Sequence, residues 1–206
     1  MDWIAGPQLA REPWSGGPVE RIRLGARWVG AGVVCRPTHR DRRWLQVEAD
    51  YLTLPGSNVM LVLTRWVNRT TARRELEHDP CLAVWLAEAG EGGTEAHWVR
   101  NGRREVQHVG EFSRDMRSST WAAVVDPASD SATVLVPGGR KAKAYVEDFA
   151  QHGQHLGMWM PMTLEPGQTR EIAAWLVFCS TAEVDVYAAL RDVTWATDGE
   201  CTAMRS

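Results

Sequence analysis

The chain predicts an antiparallel β-sandwich with one short helix near its C-terminus. Val59 to Leu63 is an unbroken apolar run of strand length that continues to Trp66-Val67 and leaves through the polar turn Asn68-Arg69-Thr70. A run of that kind suits a strand buried on both faces. Ile172 to Phe178 is a second such run, launched by the turn Leu164-Glu165-Pro166-Gly167-Gln168. Around them lie roughly a dozen short segments with strand patterning, closed by turn residues and with almost no helical periodicity, which favours a sandwich over a parallel α/β sheet.

Taken in order, residues 1–18 carry Gly6-Pro7, Pro13 and Gly16-Gly17-Pro18 and read as an irregular arm. One sandwich domain is expected over 19–195, with a tail over 196–206. Leu45, Val47, Ala49 and Tyr51 alternate with Gln46, Glu48 and Asp50, the period of two of a half-buried strand. Pro55-Gly56-Ser57-Asn58 turns the chain into the first apolar run. Arg73 to Glu77 alternates again, and Asp79-Pro80 breaks it before the strand Cys81 to Leu86.

Asn101-Gly102, flanked by Ala96 to Arg100 and Arg103 to Val106, is the strongest local signal. Asn-Gly supplies the two positive φ values of a type I′ hairpin turn, which sets Trp98 opposite Glu105 and Arg100 opposite Arg103. Trp121 to Val125, Ala132 to Val136 and Lys143 to Val146 are three further strands. From His155 to Thr163, Leu156, Met158, Met160 and Met162 share a core side, while His155, Gly157, Trp159 and Pro161 share the other. Pro161 cannot donate to a ladder, so this strand should lie near an edge or carry a bulge. Ser180-Thr181-Ala182-Glu183 fits a capping box that would start a helix with Val186, Tyr187 and Leu190 as its apolar stripe.

A length of 206 residues is enough for one all-β domain with a full core. Hydrophobic content of 44% and charged content of 24% are those of an ordinary globular protein. A net charge of −3, with no broad basic face, argues against nucleic acid and anionic membrane as partners. No apolar stretch approaches the length needed to span a bilayer, and the start of the chain lacks signal-peptide character, so the cytoplasm is the expected compartment. Lys occurs only at Lys141 and Lys143, and Arg supplies the other basic side chains, as in a bacterial genome rich in GC. The four Cys show no C-x-x-C spacing, so no structural metal is expected. No Gly-rich loop opens a helix and no G-x-S-x-G elbow is present, so neither a cofactor nor serine hydrolysis is expected. Eleven Trp against three Tyr and three Phe is unusual. An indole either fills space between sheets or presents a flat face on which a sugar ring stacks.

The order of these features resembles the β-supersandwich of galactose mutarotase-like proteins and of the sandwich domains attached to many glycosidases, lyases and epimerases. The residues that carry the resemblance are Asn68-Arg69-Thr70 at a strand exit, Trp121 to Pro127, Thr133 to Val136, and the turn Leu164-Glu165-Pro166-Gly167-Gln168-Thr169 before the last long strand. It spans Glu48 to Phe178. The resemblance implies a concave sheet face that often holds a carbohydrate. It does not imply catalysis, and the group's catalytic His and Glu have no matching motif here.

Chemistry-bearing residues gather in Glu147-Asp148-Phe149-Ala150-Gln151-His152-Gly153-Gln154-His155, with Trp159 just beyond. As a loop between strands this segment would bring carboxylates, imidazoles and an indole together. Trp159 would stack on a sugar, Asp148 would help hold it, and His152 or His155 would bond hydroxyls or act as acid/base with Glu147 or Asp148. Asp148, His152 and His155 as a metal set is the sharper variant, without a recognised spacing. The plain alternative is a solvated loop. A second cluster, Arg36 to Arg43, could hold an acidic group or be a solvated connection. The hairpin is the third place, where Trp98 and Arg100 could contact a ligand and the facing Arg100 and Arg103 would repel unless an anion or carboxylate lies between them. Three readings follow: a carbohydrate-binding or accessory module, a sugar epimerase, lyase or isomerase, and a structural module packed on a partner domain or a second copy.

Overall fold

The structure is a computed structural model that describes residues 5–6, 14–24, 28–37, 44–53, 56–76, 80–86, 93–108, 117–118, 120–138, 141–149, 153–187, 193–195 and 201–203. Side chains are described within 44–53, 56–76, 93–108, 120–138, 141–146 and 156–187.

The described strands are β1 (Ala5–Gly6), β2 (Trp14–Leu24), β3 (Trp28–Pro37), β4 (Leu45–Thr53), β5 (Val59–Asn68) and β6 (Arg74–Leu76). They continue as β7 (Pro80–Leu86), β8 (Glu95–Arg100), β9 (Arg103–His108), β10 (Arg117–Ser118), β11 (Ala122–Asp126) and β12 (Ser131–Gly138). The last are β13 (Lys143–Phe149), β14 (Gly153–Trp159), β15 (Met162–Leu164), β16 (Thr169–Cys179), β17 (Val193–Trp195) and β18 (Cys201–Ala203). A large sheet runs β2-β3-β4-β5-β16-β12-β11-β8-β9 and a smaller one runs β1-β7-β14-β13-β10. β6 pairs with β15 and β17 with β18 in two small ribbons. The chain is the all-β antiparallel sandwich that its sequence predicts.

The core explains the patterning. Val62, Trp66, Leu135 and Leu176 of the large sheet meet Ala144, Val146, Leu156 and Met158 of the small one in a single apolar layer. On the opposite face of the large sheet, Leu61, Leu63, Trp121, Val134, Trp175 and Val177 form a second layer, into which the fully buried Val184 inserts. The central strands β5, β12 and β16 are therefore covered on both faces, which is why their sequences are unbroken apolar runs rather than alternating ones. Trp66, Trp98, Trp121 and Trp175 are all buried in these layers, whereas Trp44 and Trp159 are half-buried.

Turn chemistry holds the strands in register. Asn101 and Gly102 have φ of 52° and 76°, as the type I′ turn requires, and Trp98 pairs with Glu105 and Arg100 with Arg103 as expected. The strand expected to run through Pro161 is β14, which is bulged, with a register shift between Met158 and Trp159, lies inside the small sheet and ends before the proline. The loop expected over 147–155 is shorter than its polarity suggests. Glu147 and Asp148 belong to β13, and His155 to β14. Polar residues are compatible with a strand wherever a sheet face is not packed.

The helix is also shorter. A 3-10 turn over Thr181–Glu183 precedes α1 (Val184–Tyr187), and the Glu183 carboxylate accepts from the Ser180 N–H at 3.0 Å and from its hydroxyl at 2.9 Å. Those bonds hold the Glu183 carboxyl below its ordinary range. The tighter opening turn shifts the helical phase, so Val184 points inward and Val186 is 70% exposed, contrary to the expected stripe. Leu190 lies outside the described residues.

Candidate functional site

Ala144, Val146, Leu156 and Met158 point into the core. Strand alternation therefore puts positions 143, 145 and 147 of β13 and 155, 157 and 159 of β14 on the outer face of the small sheet. Their register is Lys143 with Trp159, Tyr145 with Gly157, and Glu147 with His155. On the far side of β14, His155 also pairs with Trp85 of β7, and on the far side of β13, Tyr145 pairs with Arg117 of β10. Successive rows on such a face are about 7 Å apart along the strands, and neighbouring positions within a row about 5 Å apart.

The Tyr145 row and the Trp159 row beside it form an aromatic floor. A Cβ added at Gly157 would lie 2.2 Å from Cζ and 2.3 Å from Oη of Tyr145. The phenol thus occupies the volume that any other residue at position 157 would fill, and Tyr145 lies across the β14 backbone. Beside it, Lys143 Nζ is 5.3 Å from the centroid of the Trp159 ring. Tyr145 and Trp159 are both half-buried. An arrangement of this kind offers flat π faces for the C–H face of a sugar, with polar positions next to them for its hydroxyls.

Of the positions singled out from sequence, the register puts 147, 155 and 159 on one face of the small sheet. Asp148 pairs with Gln154 at the parity of Val146, on the opposite side of β13 from Glu147. His152 lies outside the described residues, and so does the remainder of the Arg36 cluster beyond Pro37. Trp98 is 3% exposed in the layer between the sheets, and its buried Nε1 has no hydrogen-bond partner among the described residues. Arg100 stands 6.0 Å over the Trp98 ring with its Nε 3.4 Å from Glu105. A carboxylate therefore answers the expected Arg100–Arg103 repulsion. Trp98 and Arg100 belong to the large sheet and are not part of the Trp159 surface. Among the described residues, no group of three or more His, Cys, Asp and Glu is placed to hold a metal ion.

A second polar cluster was not legible as such. His97 is 3% exposed on β8, with Nε2 2.7 Å from Glu95 Oε2 and Nδ1 bonded by Arg104. Because Arg104 can only donate, Nδ1 accepts and Nε2–H donates to Glu95, which fixes the neutral tautomer. Burial is the main cause that lowers the His97 pKa below its ordinary value, and the Arg104 charge adds to it against the opposing Glu95 bond. Arg104 also donates to Asp185 of α1 at 2.9 Å and stacks 5.8 Å over the Trp121 ring. Both nitrogens of His97 are engaged, so the cluster is a clasp between hairpin and helix rather than a proton-transfer site. The Asn-Gly register makes His97 and Arg104 diagonal neighbours on one face, which was the available signal. Asp185, 81 residues further on, gave none.

No protein-family model matches the sequence, and no curated protein matches it. Solved structures do. The α-galactosidase AgaA of Geobacillus stearothermophilus, of glycoside hydrolase family 36, superposes with a TM-score of 0.64 at 14% identity, over 95% of this chain and 33% of its own. The α-galactosidase of Lactobacillus brevis gives 0.56 at 12% identity, over 87% and 26%. The galactosidase domain of the α-galactosidase–sucrose kinase AgaSK gives 0.56 at 12%, over 84% and 28%. This chain thus spans about a quarter to a third of the length of the structures it matches. At these identities the likeness is one of fold: a sandwich that also occurs as part of larger carbohydrate-active enzymes.

Proposed function

We propose that this chain is a carbohydrate-binding sandwich module whose ligand lies on the outer face of the small sheet. Tyr145 and Trp159 form the floor, and Glu147 and His155 bond hydroxyls at its edge. The observation that carries this reading is Tyr145 lying across Gly157 beside Trp159, in register with the Glu147–His155 pair. The likeness to parts of α-galactosidases supports a carbohydrate context and a partner domain.

Catalysis by Glu147 and His155 is the second reading, supported by their direct cross-strand pairing. Positions so paired are about 5 Å apart and approach a ligand from the same side. A ring-opening acid and base must flank the ring oxygen and the anomeric hydroxyl, whereas adjacent groups on one floor suit hydroxyl recognition. Calorimetric titration of the chain with oligosaccharides separates these readings. Binding that is lost in Trp159→Ala, with no sugar turned over, supports the module. Turnover abolished by His155→Ala supports the enzyme.

A further inference from the structure

We propose that the ligand of this surface is an acidic sugar, one carrying a carboxylate, and that Lys143 selects it. The proposal rests on the reading of the small-sheet face as a sugar site. Lys143 Nζ is 5.3 Å from the Trp159 ring centroid, so a positive charge stands at one end of the aromatic floor. The register places a second basic residue, Arg117, in the row of Tyr145, one strand across. Lys143 is one of only two lysines in a chain that otherwise uses arginine.

The strip is electrically polar along β13. Lys143 stands at one end and the Glu147 position lies four residues on, about 14 Å away at strand rise. A neutral sugar stacked on Trp159 must share the ring with an ammonium and gains little from it. The carboxylate of a uronic acid projects from the ring edge. With the C–H face of the sugar on Tyr145, that carboxylate reaches the ammonium over Trp159, while hydroxyls at the far edge point toward Glu147 and His155. Charge and stacking then fix the same orientation, and a carboxylate at the wrong end would face Glu147.

The test is calorimetric titration of the intact chain with galacturonate and glucuronate disaccharides and with the neutral galactose and glucose disaccharides of matching linkage. The expected result is binding of one uronate about tenfold tighter than its neutral counterpart, a preference that weakens with salt. Lys143→Gln should abolish that preference, bringing uronate and neutral sugar to equal affinity, and Trp159→Ala should remove binding of both. Equal binding of uronate and neutral sugar, or a preference that survives Lys143→Gln, overturns the acidic-sugar proposal while the sugar-binding reading stands. Binding of none of the four overturns both.

Discussion

Asn68 donates from Nδ2 to the carbonyl of Leu164 at 3.0 Å, joining the exit of one central strand to the turn that launches another. The same nitrogen donates to Ala72 O at 2.7 Å, and Oδ1 accepts from Thr70 N–H at 3.0 Å and from its hydroxyl at 2.8 Å. Backbone bonds from Asn68 N to Gln168 O and from Gly167 N to Asn68 O complete the joint. The two turns that carry the sequence resemblance are thus one structural unit, with a fully buried side chain at its centre. Asn68→Ala would strand the buried Leu164 carbonyl, while the more exposed Ala72 carbonyl keeps the Thr70 hydroxyl, and we expect a loss of roughly 1–3 kcal/mol in stability. Urea unfolding measures it, and a loss below about 1 kcal/mol would show that water replaces the amide.

Gly157→Val should drive Tyr145 off the β14 backbone, because the phenol already occupies the Cβ position. The outer face of the sheet can yield, so the fold should survive and sugar affinity should fall by about tenfold or more. Circular dichroism beside calorimetry checks the two parts separately. Unchanged affinity would mean that Tyr145 is not part of the floor.

His97 makes stability depend on pH with a definite sign. Its folded pKa is lowered from the ordinary 6.5, so both states hold it neutral above that value and its contribution is complete there. As the pH falls below 6.5, the unfolded chain takes up a proton that the folded chain resists. Stability declines down to the folded pKa, at no more than about 1.4 kcal/mol per pH unit. His97→Gln should flatten that part of the profile, read from urea midpoints at about pH 7.5 and 5.5. Identical slopes in the two proteins would contradict a buried neutral imidazole.

Arg104→Met should loosen α1 from the large sheet, since Arg104 is bonded at once to Asp185 and to His97. Hydrogen exchange should quicken over Val184–Tyr187 while β5 and β16 stay protected. Equal protection of the helix in both proteins would show that insertion of Val184 suffices without the ion pair.

The fold was legible because its signals are local. The unbroken runs of β5 and β16, the alternation of β4 and the Asn101-Gly102 turn each report one strand's environment or one turn's φ values. The candidate site was legible only in part. Trp159, His155 and Glu147 could be named, but their polar surroundings suggested a loop, and nothing in the sequence told a strand carrying polar residues from a connection. Trp98 was open to either reading until packing between the sheets decided it. Tyr145 was missed because its role depends on a missing Cβ on the neighbouring strand, a pairwise fact that no single position reveals. The expected helix forms behind its capping box with Tyr187 packed, but its stripe is out of phase at Val186, since a 3-10 opening moves each later residue around the axis.

The central claim is that a sugar binds the outer face of the small sheet, and the most direct measurement is calorimetric titration of oligosaccharides into the chain and into Trp159→Ala and Tyr145→Ala. The account predicts saturable binding to the unaltered chain, weakened by about tenfold or more in each variant, with both variants folded. Affinity unchanged in both variants would place the ligand elsewhere and contradict it.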